Sequence, residues 1–158
     1  MIKSMFSAIL MLITANLAFA QEQLKNTVYL EAGGNGLFGS VNYERRVATA
    51  GLGFHAGVGM YSEKAFYLTL PVGINYIFPL KNKNNFIDGG LGVTWTFIDA
   101  RIFNKSLLDR ENNFTSFIPS IGYRKHGKNS SMWRVNLSPV INNAGIVPWM
   151  GVALGKRF

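Results

Sequence analysis

Few residues in this chain have side chains suited to chemistry. Its 158 residues include two histidines and no cysteine. His55 sits in a glycine-rich run, where an imidazole could act as a general base. No serine or carboxylate stands at a local spacing that would pair with it. His55 therefore reads as an interior residue held by hydrogen bonds, as buried polar groups generally are. His126, in Lys125-His126-Gly127-Lys128, reads as a solvated turn residue. The histidines and carboxylates show no metal-ligand spacing, so neither a metal nor a cofactor is expected. Gly51–Gly57 spells G-x-G-x-x-x-G, but a phosphate cradle needs a helix after it, and none follows. No catalytic residue is assigned.

The charged side chains suggest a different role. Glu31, Glu44 and Asp88 and the cations Arg46, Arg124, Arg134 and Arg157 fall, with His55, on the polar face of alternating segments. Charges inside a narrow structure must be paired, or each costs several kcal/mol. Arg–carboxylate pairs filling an interior are the expectation.

Composition narrows the class. The chain is 48% hydrophobic and only 15% charged, where soluble domains carry about 25%. With 16 Lys+Arg against 8 Asp+Glu the net charge is +8. So little total charge fits a nucleic-acid surface poorly, and no nucleic-acid partner is expected. Without cysteine no disulfide framework can form.

The first twenty residues look like an address. Met1–Ser4 carries Lys3, Met5–Ile13 is nearly all apolar, and Ala18-Phe19-Ala20 places small residues at a cleavage site. The apolar run is shorter than the roughly 20 residues a spanning helix needs. The expected division is a signal peptide over 1–20 and one domain over 21–158. No cysteine follows the cut, so a lipoprotein is not expected.

The rest alternates apolar and polar residues with period two. Strands are predicted at Thr27–Gly34, Leu37–Val47, Leu52–Tyr61, Ala65–Phe78, Asn85–Ala100, Phe114–Lys125, Ser131–Ile141 and Pro148–Phe158. Short connections such as Asn35-Gly36 join them, and only Arg101–Asn113 is long. Strand two sets Leu37, Gly39, Val41 and Tyr43 on one face, and the third sets Leu52, Phe54, Ala56, Val58 and Met60. Such alternation fits a soluble lipocalin-like barrel that binds an apolar ligand, or a membrane barrel turned inside out. The polar face decides between them. It is mostly Gly, Ser, Asn and Thr, not the Lys and Glu of a solvated surface. Small residues suit an eight-stranded bore, which side chains fill. The apolar face carries Phe66, Tyr76, Phe78, Trp95, Phe97, Tyr123 and Trp133, fitting interfacial girdles. The expected fold is all-β, an eight-stranded antiparallel up-and-down transmembrane β-barrel.

The chain ends Trp149-Met-Gly-Val-Ala-Leu-Gly-Lys-Arg-Phe158. A terminal Phe158 on an alternating strand resembles the C-terminal insertion signal of bacterial outer-membrane barrels. The whole of 21–158 is similar to the small eight-stranded outer-membrane β-barrel family. The resemblance implies an outer-membrane location, periplasmic termini, outer-membrane lipids as neighbours and recognition of the C-terminal strand by the barrel-assembly machinery. The first reading is a structural or adhesive role without enzyme activity. Arg101–Asn113 is the loop long enough to meet an extracellular partner, though its Ile102, Phe103, Leu107 and Leu108 are expected to pack down on the barrel. The alternative within the membrane is a lipid-modifying enzyme using His55. Asn142-Asn-Ala-Gly-Ile146 resembles part of the motif of outer-membrane lipid A deacylases, but Val140 and Asn142 stand where that motif has its His and Ser.

This topology divides the charge. The periplasmic half would hold eleven Lys and Arg and three carboxylates, and the outer half four cations and five carboxylates. A cationic periplasmic rim facing anionic phospholipid headgroups is expected, weakening with salt.

Overall fold

The computed structural model describes residues 24–47, 51–62, 66–81, 84–98 and 113–158. The expected signal segment 1–20 and loop residues 101–112 lie outside them, as do Glu22, Glu63, Lys64, Lys83 and Asp99. The period-two runs form strands β1 Asn26–Gly33, β2 Gly39–Arg46, β3 Leu52–Ser62, β4 Phe66–Pro79, β5 Asn85–Ile98, β6 Phe114–His126, β7 Ser131–Leu137, β8 Val140–Asn142, β9 Gly145–Val147 and β10 Met150–Arg157. Each pairing is antiparallel. The sheet closes through β5–β6, from Asn85↔Lys125 to Thr96↔Phe114, and through β1–β10, from Thr27↔Arg157 to Gly33↔Gly151. Closure leaves the barrel wall without free edges.

β7 with β8, and β9 with β10, are two interrupted staves, so the barrel has eight. The β6–β7 ladder runs to Ile121↔Leu137 and resumes in the same register at Phe117↔Ile141. That register sets Pro119 opposite Pro139. Ser138 N–H donates to the Trp149 carbonyl at 2.9 Å, so the nitrogen of the next residue, Pro139, faces β6. Neither proline has an N–H to give, and the ladder skips there. The seventh strand is therefore not continuous over Ser131–Ile141, as the alternation alone suggested.

The wall is apolar outside and polar inside. Leu30 and Leu154 are 63% and 64% exposed, whereas Glu44 and Arg124 are 0% exposed. The outward series continues through Val41, Phe54, Val58, Ile74, Leu91, Ile121, Val135 and Val152, all exposed. Inward positions are mostly Thr, Ser, Asn, Gly and the charged residues, with Tyr29, Met132, Ala153 and Ile118 among them. Glycines make room for the larger inward groups: a Cβ at Gly73 would collide with the His55 ring, and one at Gly155 with Tyr29. A barrel for an apolar ligand needs the reverse arrangement, so this interior does not fit the lipocalin-like alternative.

Candidate functional site

The lumen holds three carboxylates and three arginines in one connected network. Arg124 on β6 donates from Nη1 to Glu44 Oε1 at 2.6 Å and from Nη2 to Glu44 Oε2 at 2.7 Å. The same Nη2 lies 2.7 Å from Asp88 Oδ2. Arg134 on β7 joins Glu31 at 2.6 Å and Asp88 at 3.4 Å. Its guanidinium also lies 5.0 Å from the centroid of the Tyr29 ring. Arg46 reaches Glu44 at 2.8 Å and donates to the Gly51 carbonyl. Asn75 on β4 donates to both Glu44, at 3.2 Å, and Asp88, at 3.0 Å. Three negative and three positive groups balance, as charges inside a closed barrel require.

Arg157 behaves differently. It is half-buried at the rim and donates to Nδ1 of His126 at 3.0 Å, with no carboxylate partner among the described residues. His126 is accordingly not a solvated turn residue. It ends β6, is half-buried, and packs its ring 4.5 Å from that of Phe86.

Above the network the bore holds a feature the sequence pattern missed. The Asn35-Gly36 connection is not an outer turn but a 3-10 turn, Gly34–Gly36, folded inward and fully buried. Gly33 and Gly34 have φ of 77° and 63°, values that glycine adopts readily. Asn35 donates its amide to Nε2 of His55 at 2.8 Å, and the Asn35 carbonyl accepts from Thr94 at 2.6 Å. Thr69 donates to the Gly36 carbonyl at 3.2 Å. Leu37 follows with φ of 68°, a left-handed conformation costing about 1–3 kcal/mol. It is held by burial against Ile118 and Val140, with Tyr61 and Trp149 alongside, and by the Trp149 Nε1–H on its carbonyl at 3.1 Å. Leu37 is thus an interior plug residue, not an outward residue of strand two. The available signal was three glycines, at 33, 34 and 36, where a two-residue hairpin turn needs fewer.

His55 is buried, and its hydrogen-bond partner is the Asn35 amide. The geometry makes it a support for the plug. Among the described residues no group of three His, Cys, Asp or Glu is placed to hold a metal. Val140 lies in the apolar cluster that holds Leu37. Asn142 Oδ1 caps the β8–β9 turn by accepting from Ala144 N–H at 2.9 Å.

The outward aromatics fall in two belts. Tyr76, Phe78, Tyr123 and Trp133 lie toward the rim where β1 begins and β10 ends, with ring pairs Tyr76–Phe78 at 4.6 Å and Tyr123–Trp133 at 5.3 Å. Phe66, Trp95 and Phe97 lie toward the other rim. Phe158 closes the seam through its backbone, exchanging hydrogen bonds of 2.8 and 3.0 Å with Asn26, while its ring is exposed.

Together these features define a closed eight-stranded antiparallel barrel with an apolar outer wall and charged and polar groups buried in its lumen. Two solved structures share the fold. The N-terminal β-barrel domain of Pseudomonas aeruginosa OprF aligns with a TM-score of 0.61 at 11% identity, over 85% of this chain and 96% of that one. Yersinia pestis outer membrane protein Ail, determined in a phospholipid bilayer nanodisc, aligns with a TM-score of 0.55 at 11% identity, over 85% and 99%. The chain is similar to these small outer-membrane barrels in fold. Its sequence matches no family model and no curated protein.

Proposed function

We propose that the chain is a small integral outer-membrane β-barrel protein, non-enzymatic, with a structural or recognition role and a filled lumen. The observation that carries this reading is the inverted wall. Water would meet a continuous apolar surface around the barrel, whereas lipid would cover it. The aromatic belts then lie at the two interfaces. The fold shared with Ail, solved in a bilayer, supports the same placement. On this reading 1–20 is a signal peptide, both termini are periplasmic, and Arg101–Asn113 is the segment available to an extracellular partner. The exposed ring of Phe158 is left for the barrel-assembly machinery.

A filled lumen has a direct electrical test. Purified barrel reconstituted into planar lipid bilayers should insert without steady conductance, because the Arg124 network and the Leu37 plug occupy the bore. A resolved, sustained conductance from each inserted molecule would contradict the filled lumen. N-terminal sequencing of the envelope protein should begin at Gln21, and a start at Met1 would refute the signal peptide.

A further inference from the structure

The charge excess of the sequence has a definite place in the fold. The strand ends of one rim are joined by backbone hydrogen bonds, including Arg46 N to Lys25 O at 2.7 Å, Phe158 N to Asn26 O at 2.8 Å and His126 N to Asn84 O at 2.8 Å. Lys25, Arg45, Lys81, Lys125, Lys128 and Lys156 are arrayed along that rim, Lys25 partly exposed and the other five exposed. No Asp or Glu side chain among the described residues is exposed. Glu31, Glu44 and Asp88 are buried in the lumen and engaged by Arg46, Arg124 and Arg134. Among the described residues no carboxylate lies within ion-pair distance of the six rim cations. The opposite rim carries no charged side chain among the described residues. The segments joining β3 to β4 and β5 to β6, outside the described residues, hold four cations and four carboxylates by sequence.

Three of the six cations stand on the outer wall itself. Arg45 is opposite Phe54, Lys125 opposite Trp133, and Lys156 opposite Val28 and Ser131. They adjoin the belt of Tyr76, Tyr123 and Trp133, the depth at which lipid headgroups lie. Long cationic stems can lie along the apolar wall with their heads among those groups.

We propose that this collar binds anionic phospholipid headgroups, so that the barrel selects anionic over zwitterionic phospholipid in the leaflet next to its chain ends. The proposal rests on the membrane reading above. Charge complementarity carries it: a ring of cations at headgroup depth, without an ion-paired carboxylate among the described residues, attracts anionic lipid, and salt screens the attraction.

Trp133 and Trp95 are reporters in the two belts. The full folded barrel carrying Trp95→Phe keeps Trp133, and the one carrying Trp133→Phe keeps Trp95, with Trp149 common to both. Each is placed in vesicles of mixed phosphatidylcholine and phosphatidylglycerol in which one lipid or the other has brominated chains, at equal mole fraction. In the Trp95→Phe protein, brominated phosphatidylglycerol should quench about twofold more than brominated phosphatidylcholine. The excess should vanish near 1 M salt, where the screening length is about 3 Å. It should also shrink when Lys125→Gln and Lys156→Gln are added. The Trp133→Phe protein should show no preference. The unsubstituted protein should show the same salt-sensitive excess at smaller amplitude, so a variant that folds poorly does not shield the proposal. Equal quenching by the two lipids at Trp133, or the same excess at both belts, would overturn it while leaving the barrel in the membrane. Absence of quenching by either lipid would overturn the membrane reading as well.

Discussion

Arg124 holds Glu44 with both ends of its guanidinium, at 2.6 and 2.7 Å, across 80 residues of sequence. β6 and β2 lie four staves apart in either direction around the barrel. The pair is therefore a tie across the full bore. Arg134 on β7 similarly connects Glu31 on β1 with Asp88 on β5, which are also four staves apart.

Removing the tie should be costly because the carboxylates stay behind. Arg124→Met leaves Glu44 and Asp88 without their main cation and should lower stability by about 3–5 kcal/mol. Adding Glu44→Gln should recover part of that loss, since coupled partners are not additive. Denaturant unfolding of the lipid-reconstituted barrel measures both. A loss under about 1 kcal/mol for Arg124→Met would mean that the network does not brace the barrel.

Leu37 anchors the plug by its packing. Leu37→Ala removes most of a buried side chain packed on Ile118 and Val140, and should cost about 2–3 kcal/mol in the same unfolding experiment. It should also speed amide exchange at Asn35 and Gly36, whose carbonyls are bonded inside the lumen. Unchanged exchange there would show that the plug is held without Leu37.

The gap between Pro119 and Pro139 predicts a stabilising change. Pro139→Ala supplies an N–H facing the Pro119 carbonyl, and one added ladder bond should contribute about 0.5–1.5 kcal/mol. A lower unfolding midpoint would show that the proline ring, rather than the missing donor, is what this position requires.

Phe158 separates stability from assembly. Its ring is exposed and its backbone makes the bonds to Asn26. Phe158→Ala should therefore change the stability of the refolded barrel by no more than about 0.5 kcal/mol. It should still reduce the amount assembled in cells, read by immunoblot of membrane fractions. Normal assembly of this variant would remove the insertion role proposed for the residue.

What the sequence made legible was local. Period-two alternation is a property of neighbouring residues, so the outward placement of Phe54, Ile74, Trp95 and Trp133 followed from it. The polar face of Gly, Ser, Asn and Thr was enough to turn the barrel inside out. The missed features are non-local. The Asn35-Gly36 turn folds inward because His55, Thr69 and Thr94 wait on three other strands, and nothing adjacent to it encodes them. The break in the seventh strand needs Pro119 opposite Pro139, a fact of register. His126 looked like a turn residue beside Gly127, yet β6 extends to include it and Arg157 on β10 engages its ring.

The central claim is that the apolar outer wall faces lipid. Fractionation of the cell envelope, followed by gel electrophoresis of unheated and boiled samples, tests it most directly. The account predicts recovery in the outer-membrane fraction, release only with detergent, and a mobility that shifts on boiling as the closed barrel unfolds. Recovery as a soluble periplasmic or secreted protein, with the same mobility before and after boiling, would contradict it.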